Sequence, residues 1–147
     1  MNPNVHIRAV KVNDRDQWYE LWRGYLRFYR QRLPEEITEA TFRRLASDDE
    51  QLHGLVAEFE GRLTGFVNYV FHSSTWSLRH VCYLEDLFVE PAMRGGGVGR
   101  ALIEAVYNAA DAANATTVYW MTQEFNAAGR ALYDTLAHRT SFIRYER

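Results

Sequence analysis

Four glycines fall within five positions at Arg94-Gly-Gly-Gly-Val-Gly99. The run follows an apolar segment, Val81 to Val89, that Pro91 stops. It precedes an apolar stripe of Val98, Leu102, Ile103, Val106 and Ala110. These patterns predict a strand, a glycine turn and a helix over about 98–113. Glycines let successive backbone N–H groups point into one concavity, and a helix amino terminus adds positive partial charge. The turn is therefore expected to cradle a phosphate or pyrophosphate, with Gly95, Gly96, Gly97, Val98 and Gly99 supplying backbone. Arg94 and Arg100 flank it and would neutralise further negative charge. The NTPase loop is excluded because no lysine follows the glycines. The dinucleotide pattern G-x-G-x-x-G fails because Arg100 stands where its third glycine belongs. What remains is Arg-x-x-Gly-x-Gly, read as Arg94, Gly97 and Gly99.

Around this turn the chain reads as one α/β (α+β) domain over 1–147. Residues 5–10 form a first strand. Asn13 or Asp14 caps a helix to about Leu33, in which Trp18, Leu21, Trp22, Tyr25, Phe28 and Tyr29 recur at helical spacing. Pro34 ends it, and a second helix runs from about Thr38, capped by Thr38 and Thr41, to Ala46. Leu55 to Phe59 and Leu63 to Val70 are strands about a hairpin signal at Glu60-Gly61-Arg62. His72 to Ser77 reads as a polar loop. Thr116 to Met121 is a strand, Asn126 to about His138 a helix, and Ser141 to Tyr145 a last strand. The order predicts a mixed sheet flanked by helices.

The chain has 147 residues, a formal net charge of -2 and a pI near 6.2, which removes the usual electrostatic case for nucleic acid. Cys82 stands alone, so no intrachain disulfide framework and no cysteine-rich metal site are expected. The histidines His6, His53, His72, His80 and His138 are scattered without ligand spacing, so no metal is expected either. MNPNVHIR lacks a basic start followed by an apolar stretch, and no apolar run approaches the roughly 20 residues that span a bilayer. A cytoplasmic protein without a membrane partner is the resulting expectation. Glu85 and Asp86 interrupt the Val81–Val89 strand, and adjacent carboxylates there cost stability unless something uses or pairs them. In a regular strand the two point to opposite faces.

Arg94-x-x-Gly97-x-Gly99 after Leu87-Phe88-Val89-Glu90-Pro91, with Asn126 and Tyr133 seven residues apart downstream, resembles the GCN5-related N-acetyltransferases. The resemblance covers nearly the whole chain. Within that superfamily, Tyr83-Leu-Glu-Asp-Leu-Phe-Val89 is similar to the diamine acetyltransferases. The aromatic amino-terminal helix and the ending Ser-Phe-Ile-Arg-Tyr-Glu-Arg look like bacterial relatives of the yeast histone and D-amino-acid acetyltransferases. The resemblance implies a mostly antiparallel mixed sheet, acetyl-CoA as donor and a primary amine as acceptor. It also implies that the backbone of Leu87, Phe88 and Val89 pairs with the pantetheine arm like a strand, beside a bulge that opens a slot. Nothing in the sequence shows that bulge.

An alkyl amine has a solution pKa of about 10, so the chemistry needs a proton acceptor for the amine and an acid for the leaving thiolate. By resemblance Tyr133 is the acid beside the sulfur, and Asn126 bonds the pantetheine arm or caps its helix. Glu85 matches the diamine-enzyme glutamate and is the candidate base, directly or through a water, with Asp86 as its alternative. Trp76 would line the acceptor pocket, and Tyr25, with Tyr29, would face the acceptor. Cys82 reads as a small hydrophobe, since the family transfers directly. The acceptor is a small-molecule amine, either a polyamine drawn by Glu85 and Asp86 or an amino acid whose carboxylate suits Arg79, Arg139 and Arg144. A protein acetyltransferase and a non-catalytic acyl-CoA sensing module are the alternatives. Relatives often pair through the last strand, which predicts a homodimer.

Overall fold

The computed structural model describes residues 4–49 and 51–147. Met1 to Pro3, part of the stretch read above for a secretory leader, lies outside them. Five strands lie in the sheet order β1 (Val5–Ala9), β2 (Leu52–Phe59), β3 (Arg62–Ser74), β4 (Ser77–Val89) and β5 (Val118–Tyr119). Neighbours from β1 to β4 are antiparallel, while β4 and β5 are parallel, so the sheet is mixed and mostly antiparallel as expected. Helices α1 (Arg15–Phe28), α2 (Glu35–Leu45), α3 (Val98–Ala112) and α4 (Ala127–Leu136) complete the chain.

Two buried clusters cover the two faces of the sheet. Trp18, Tyr19, Leu21, Trp22, Phe42 and Leu45 of α1 and α2 pack on Val56, Phe66 and Phe88. Val98, Leu102, Ile103, Val106 and Ala110 of α3 pack on Ala57, Val67, Cys82 and Leu84. The apolar stripes read from sequence therefore do face the sheet, which is what stabilises amphipathic helices of this length. Contact between α1 and β4 is close: a Cβ on Gly24 would stand 2.9 Å from Phe88 Cζ. That approach brings Tyr25, the next residue, down onto β4.

Several element limits differ from the sequence reading, each for a local reason. Helix α1 stops at Phe28 rather than Leu33 because Arg30 takes φ 53°, and the N–H of Gln31 closes on the Leu26 carbonyl at 2.9 Å. Helix α2 starts at Glu35 with Pro34 as its N-cap, so Thr38 is no cap. Instead Thr38 is buried, and its Oγ1 accepts from Trp22 Nε1 at 3.2 Å. Glu60 and Gly61 form a two-residue hairpin with φ of 51° and 77°, the left-handed pair such a turn needs. The expected loop at His72 to Ser77 is largely strand, with β3 and β4 joined through Thr75 and Trp76. β5 shrinks to two residues, and Ser141 to Tyr145 form no strand. Both corrections concern the end of the sheet where the chain leaves it to line a cleft.

Candidate active site

β4 carries the site because its side-chain alternation slips once. Cys82 and Leu84 face α3, yet Phe88, four residues after Leu84, faces α1. An even spacing keeps side chains on one face unless a residue is inserted. The register shows where: Asn68 pairs with Asp86 and Tyr69 with Leu84, so Glu85 is extra, a β-bulge in β4. The bulge is of the kind the family resemblance implied, so the opposed carboxylates of a regular strand do not apply. Glu85 and Asp86 both lie on the α1 side, where Asp86 Oδ1 accepts from the Tyr25 hydroxyl at 2.7 Å and Oδ2 from Asn68 Nδ2 at 3.1 Å. Asn68 is 1% exposed and its Oδ1 finds no partner among the described residues.

The bulge also marks where β4 and β5 part. They pair at Cys82 with Val118 and Tyr83 with Tyr119, and not beyond. Leu87, Phe88 and Val89 pair with β3 on one side, and their other side faces the gap. A void of about 20 Å³ at the parting is lined by Tyr25, Tyr29, Glu85, Leu87, Trp120 and Tyr133, among others. It adjoins an open cleft of about 1190 Å³ that includes Glu85, Tyr83, Tyr119, Tyr133, Arg139 and Arg144.

Protonation in this site follows from burial. Burial, then the neighbouring Asp86 charge, pushes Glu85 above the ordinary glutamate value. Burial also raises Asp86, opposed by its hydrogen bonds from Tyr25 and Asn68. Burial holds Tyr133 above the usual phenol range, with Tyr29 adding to it, so it stays a proton donor at neutral pH. Its ring meets Trp120 edge-on at a centroid distance of 5.5 Å. Burial pushes the Cys82 thiol up to about 11, and its side chain packs under α3. Both effects disfavour a nucleophilic thiolate there.

The glycine turn has the geometry of an anion cradle. Gly95 and Gly97 take φ of 83° and 85°, with Gly97 as the N-cap of α3. Among the described residues no side chain caps this helix, so its first N–H groups are left to be met by something else. Arg94 does not reach toward the glycines. Its Nε donates to the Val89 carbonyl at 2.9 Å, and its guanidinium lies over Phe88 and Phe28, 5.5 and 5.8 Å from the ring centroids. Arg100 turns to α4, donating to Thr135 Oγ1 at 2.7 Å.

Asn126 caps α4, accepting from the Gly129 N–H at 3.3 Å, while its Nδ2 donates to Thr122 Oγ1 at 3.0 Å. Trp76 sits at the β3–β4 hairpin tip, 92% exposed, and belongs to neither cavity just described. Tyr25 is in the cavity but spends its hydroxyl on Asp86. Sequence reasoning missed Asn68, Tyr83 and Trp120. Asn68 carried a signal, a lone amide inside the apolar run Leu63 to Val70. Trp120 carried none that separates it from core. Among the described residues no group of three His, Cys, Asp or Glu side chains is placed to hold a metal, and no helix is long and apolar enough to cross a membrane.

The sequence profile of the Acetyltransferase (GNAT) family matches residues 15–137. The chain is 34% identical over 150 residues to the D-amino-acid N-acetyltransferase HPA3 of Saccharomyces cerevisiae, covering 100% of this chain and 92% of that one. It is 34% identical over 145 residues to the thialysine N-epsilon-acetyltransferase of Sus scrofa, covering 92% and 85%. Among solved structures, AAC(6')-Iy in complex with the bisubstrate analog CoA-S-monomethyl-acetylneamine superposes with a TM-score of 0.84 at 20% identity, over 97% of each chain. That likeness concerns the fold.

Proposed function

The chain is an N-acetyltransferase of the GNAT family, and on that premise we propose that it transfers acetyl from acetyl-CoA directly to the primary amine of a small molecule, a polyamine or an amino acid. The observation that carries this reading is the void at the β4–β5 parting, where Glu85 and Tyr133 meet in one pocket. Acetyl-CoA supplies the activated thioester. The residues present fit it: uncapped N–H groups at Gly97 to Arg100 suit the pyrophosphate, and the unpaired side of Leu87 to Val89 suits the amide-bearing arm. Arg94 must release the Val89 carbonyl for that pairing, which frees its guanidinium for the phosphates.

The chemistry balances on two side chains. Glu85 takes a proton from the acceptor ammonium, directly or through a water, and the neutral amine attacks the thioester carbonyl carbon. The new C–N bond forms as the C–S bond breaks, the Tyr133 hydroxyl gives its proton to the departing sulfur, and the second proton lost by the nitrogen restores the Tyr133 phenol. The relatives named for D-amino acids and for thialysine support an acceptor bearing both an amine and a carboxylate. Arg139 and Arg144 stand in the same cleft as Glu85, which supports the same choice. No metal enters this scheme.

Two further readings go with it. The molecule is a homodimer, supported by exposed Phe142, Ile143 and Tyr145 in the carboxyl-terminal segment, an apolar surface that a second copy would cover. Its location is cytoplasmic, a reading that fits a chain whose single cysteine, Cys82, is buried and forms no disulfide. Acetyl-CoA turnover followed by thiol release against polyamines, amino acids of both hands and a lysine-rich peptide tests the activity. Release with small amines and not with the peptide is the expected result. Release with the peptide alone overturns the small-molecule reading, and absence of acetyl-CoA binding by calorimetry overturns the whole assignment.

A further inference from the structure

The bulge sets two carboxylates side by side on one face, and they differ in what holds them. Both Asp86 oxygens are taken, Oδ1 by the Tyr25 hydroxyl at 2.7 Å and Oδ2 by Asn68 Nδ2 at 3.1 Å. Asn68 aims its N–H at Asp86 and leaves its own buried oxygen without a partner among the described residues. That orientation is the one an anionic Asp86 selects, because a carboxylate accepts twice and donates nothing. Glu85 sits beside it with its side chain in the open cleft.

We propose that Asp86 is a positioning residue for the acetyl transfer: clamped as an anion by Tyr25 and Asn68, it places a fixed negative charge beside Glu85 and makes Glu85 the better proton acceptor. The inference rests on the acetyltransfer reading for its use, though not for its physics. It also separates two roles that the sequence left open. Each Asp86 oxygen is already held by a hydrogen bond within the fold, whereas Glu85 is exposed and faces the space an amine would enter.

The other groups around Glu85 do not substitute for that charge. Tyr25 of α1, Tyr29 just past its end, Tyr83 of β4, Tyr119 of β5 and Tyr133 of α4 are all held above the usual phenol range, first by burial, and stay neutral. Across the cleft, Arg139 and Arg144 come from the carboxyl-terminal segment, and Arg144 pairs with Glu146 at 2.9 Å. Arg130, Asp134, His138 and Glu124 line the outer cleft. These charges border open solvent, where screening weakens them. The Asp86 charge is half-buried and adjacent in sequence, so it acts at short range in a less polar medium.

The test is a carboxyl-carbon NMR titration of the full chain labelled at glutamate, with the Glu85 signal assigned by its loss in Glu85→Gln. In Asp86→Asn the Glu85 midpoint should fall by roughly one pH unit relative to wild type. In Tyr25→Phe it should fall by less, since Asp86 keeps its place but holds its charge less firmly. The acidic limb of the kcat/KM profile should move down with the midpoint, a shift that a merely structural role for Asp86 would not produce. An unchanged Glu85 midpoint in folded Asp86→Asn overturns the inference, whatever happens to turnover. Should Asp86→Asn fail to fold, an unchanged midpoint in Tyr25→Phe overturns it instead. A shifted midpoint with no thiol release from any acceptor upholds the coupling and counts against the acetyltransfer reading alone.

Discussion

The rings of Trp120 and Tyr133 meet edge-on, 5.5 Å apart at 72°, joining the chain just past β5 to helix α4 at the floor of the gap. The contact fixes the Tyr133 ring while its hydroxyl makes no hydrogen bond among the described residues, so the proton is available to a ligand. Tyr133→Phe keeps the ring contact and removes the proton. Turnover should fall about 100-fold or more. Acetyl-CoA affinity by calorimetry should stay within about twofold. Unchanged turnover would remove Tyr133 from the chemistry.

Glu85 must be ionised to accept a proton. Its value lies above the ordinary glutamate figure through burial and Asp86, so activity should decline as pH falls through that raised value. Glu85→Gln should lower the rate about 100-fold and abolish this acidic limb. A rate profile for kcat/KM that retains the limb in the variant would assign the base elsewhere.

Gly97 occupies φ 85°, which costs an L side chain on the order of 1–2 kcal/mol. Gly97→Val should displace the first turn of α3 and its unpaired N–H groups. The expected outcome is a Kd for acetyl-CoA at least roughly tenfold higher, about 1.4 kcal/mol. Normal affinity by calorimetry would contradict the cradle.

A stability test lies far from the site. Arg8 bonds Asp14 through both carboxylate oxygens at 2.8 Å, with side chains 16% and 7% exposed. The Arg8 hydrogen bonds hold Asp14 below its ordinary value, so the stability they add is present above that value and lost as pH falls through the depressed one. Arg8→Met leaves a buried charge uncompensated and should cost about 3 kcal/mol. The acid unfolding transition should move to higher pH. Denaturant midpoints measured across pH would show it, and an unshifted transition would refute the account.

Much of this was legible before folding. The stripes of α1 and α3 face the sheet because period 3.6 is written directly in residue order, as at Trp18, Leu21 and Trp22. The glycine turn was legible because left-handed backbone selects glycine at 95 and 97. The bulge was not, since Leu84-Glu85-Asp86-Leu87 reads equally well as regular strand, and the choice is made by Phe88 seeking the α1 face and Asp86 seeking Tyr25. Thr38 looked like a cap because threonine suits caps, but tertiary contact with Trp22 outweighed it. Ser141 to Tyr145 has the aromatic and β-branched content of a strand, yet it forms none, and β5 ends at Tyr119.

The parting of β4 from β5 creates something sheets ordinarily hide, an unsealed edge in their interior. Such an edge is a template for strand addition, and a stray segment of another chain would aggregate there. Arg94 stoppers it: the guanidinium caps the Val89 carbonyl and lies across Phe88, putting a positive charge where an invading strand would begin. Glu85, bulged out of register, spoils the repeat at the other end. The opening is thereby closed at both ends to strand addition.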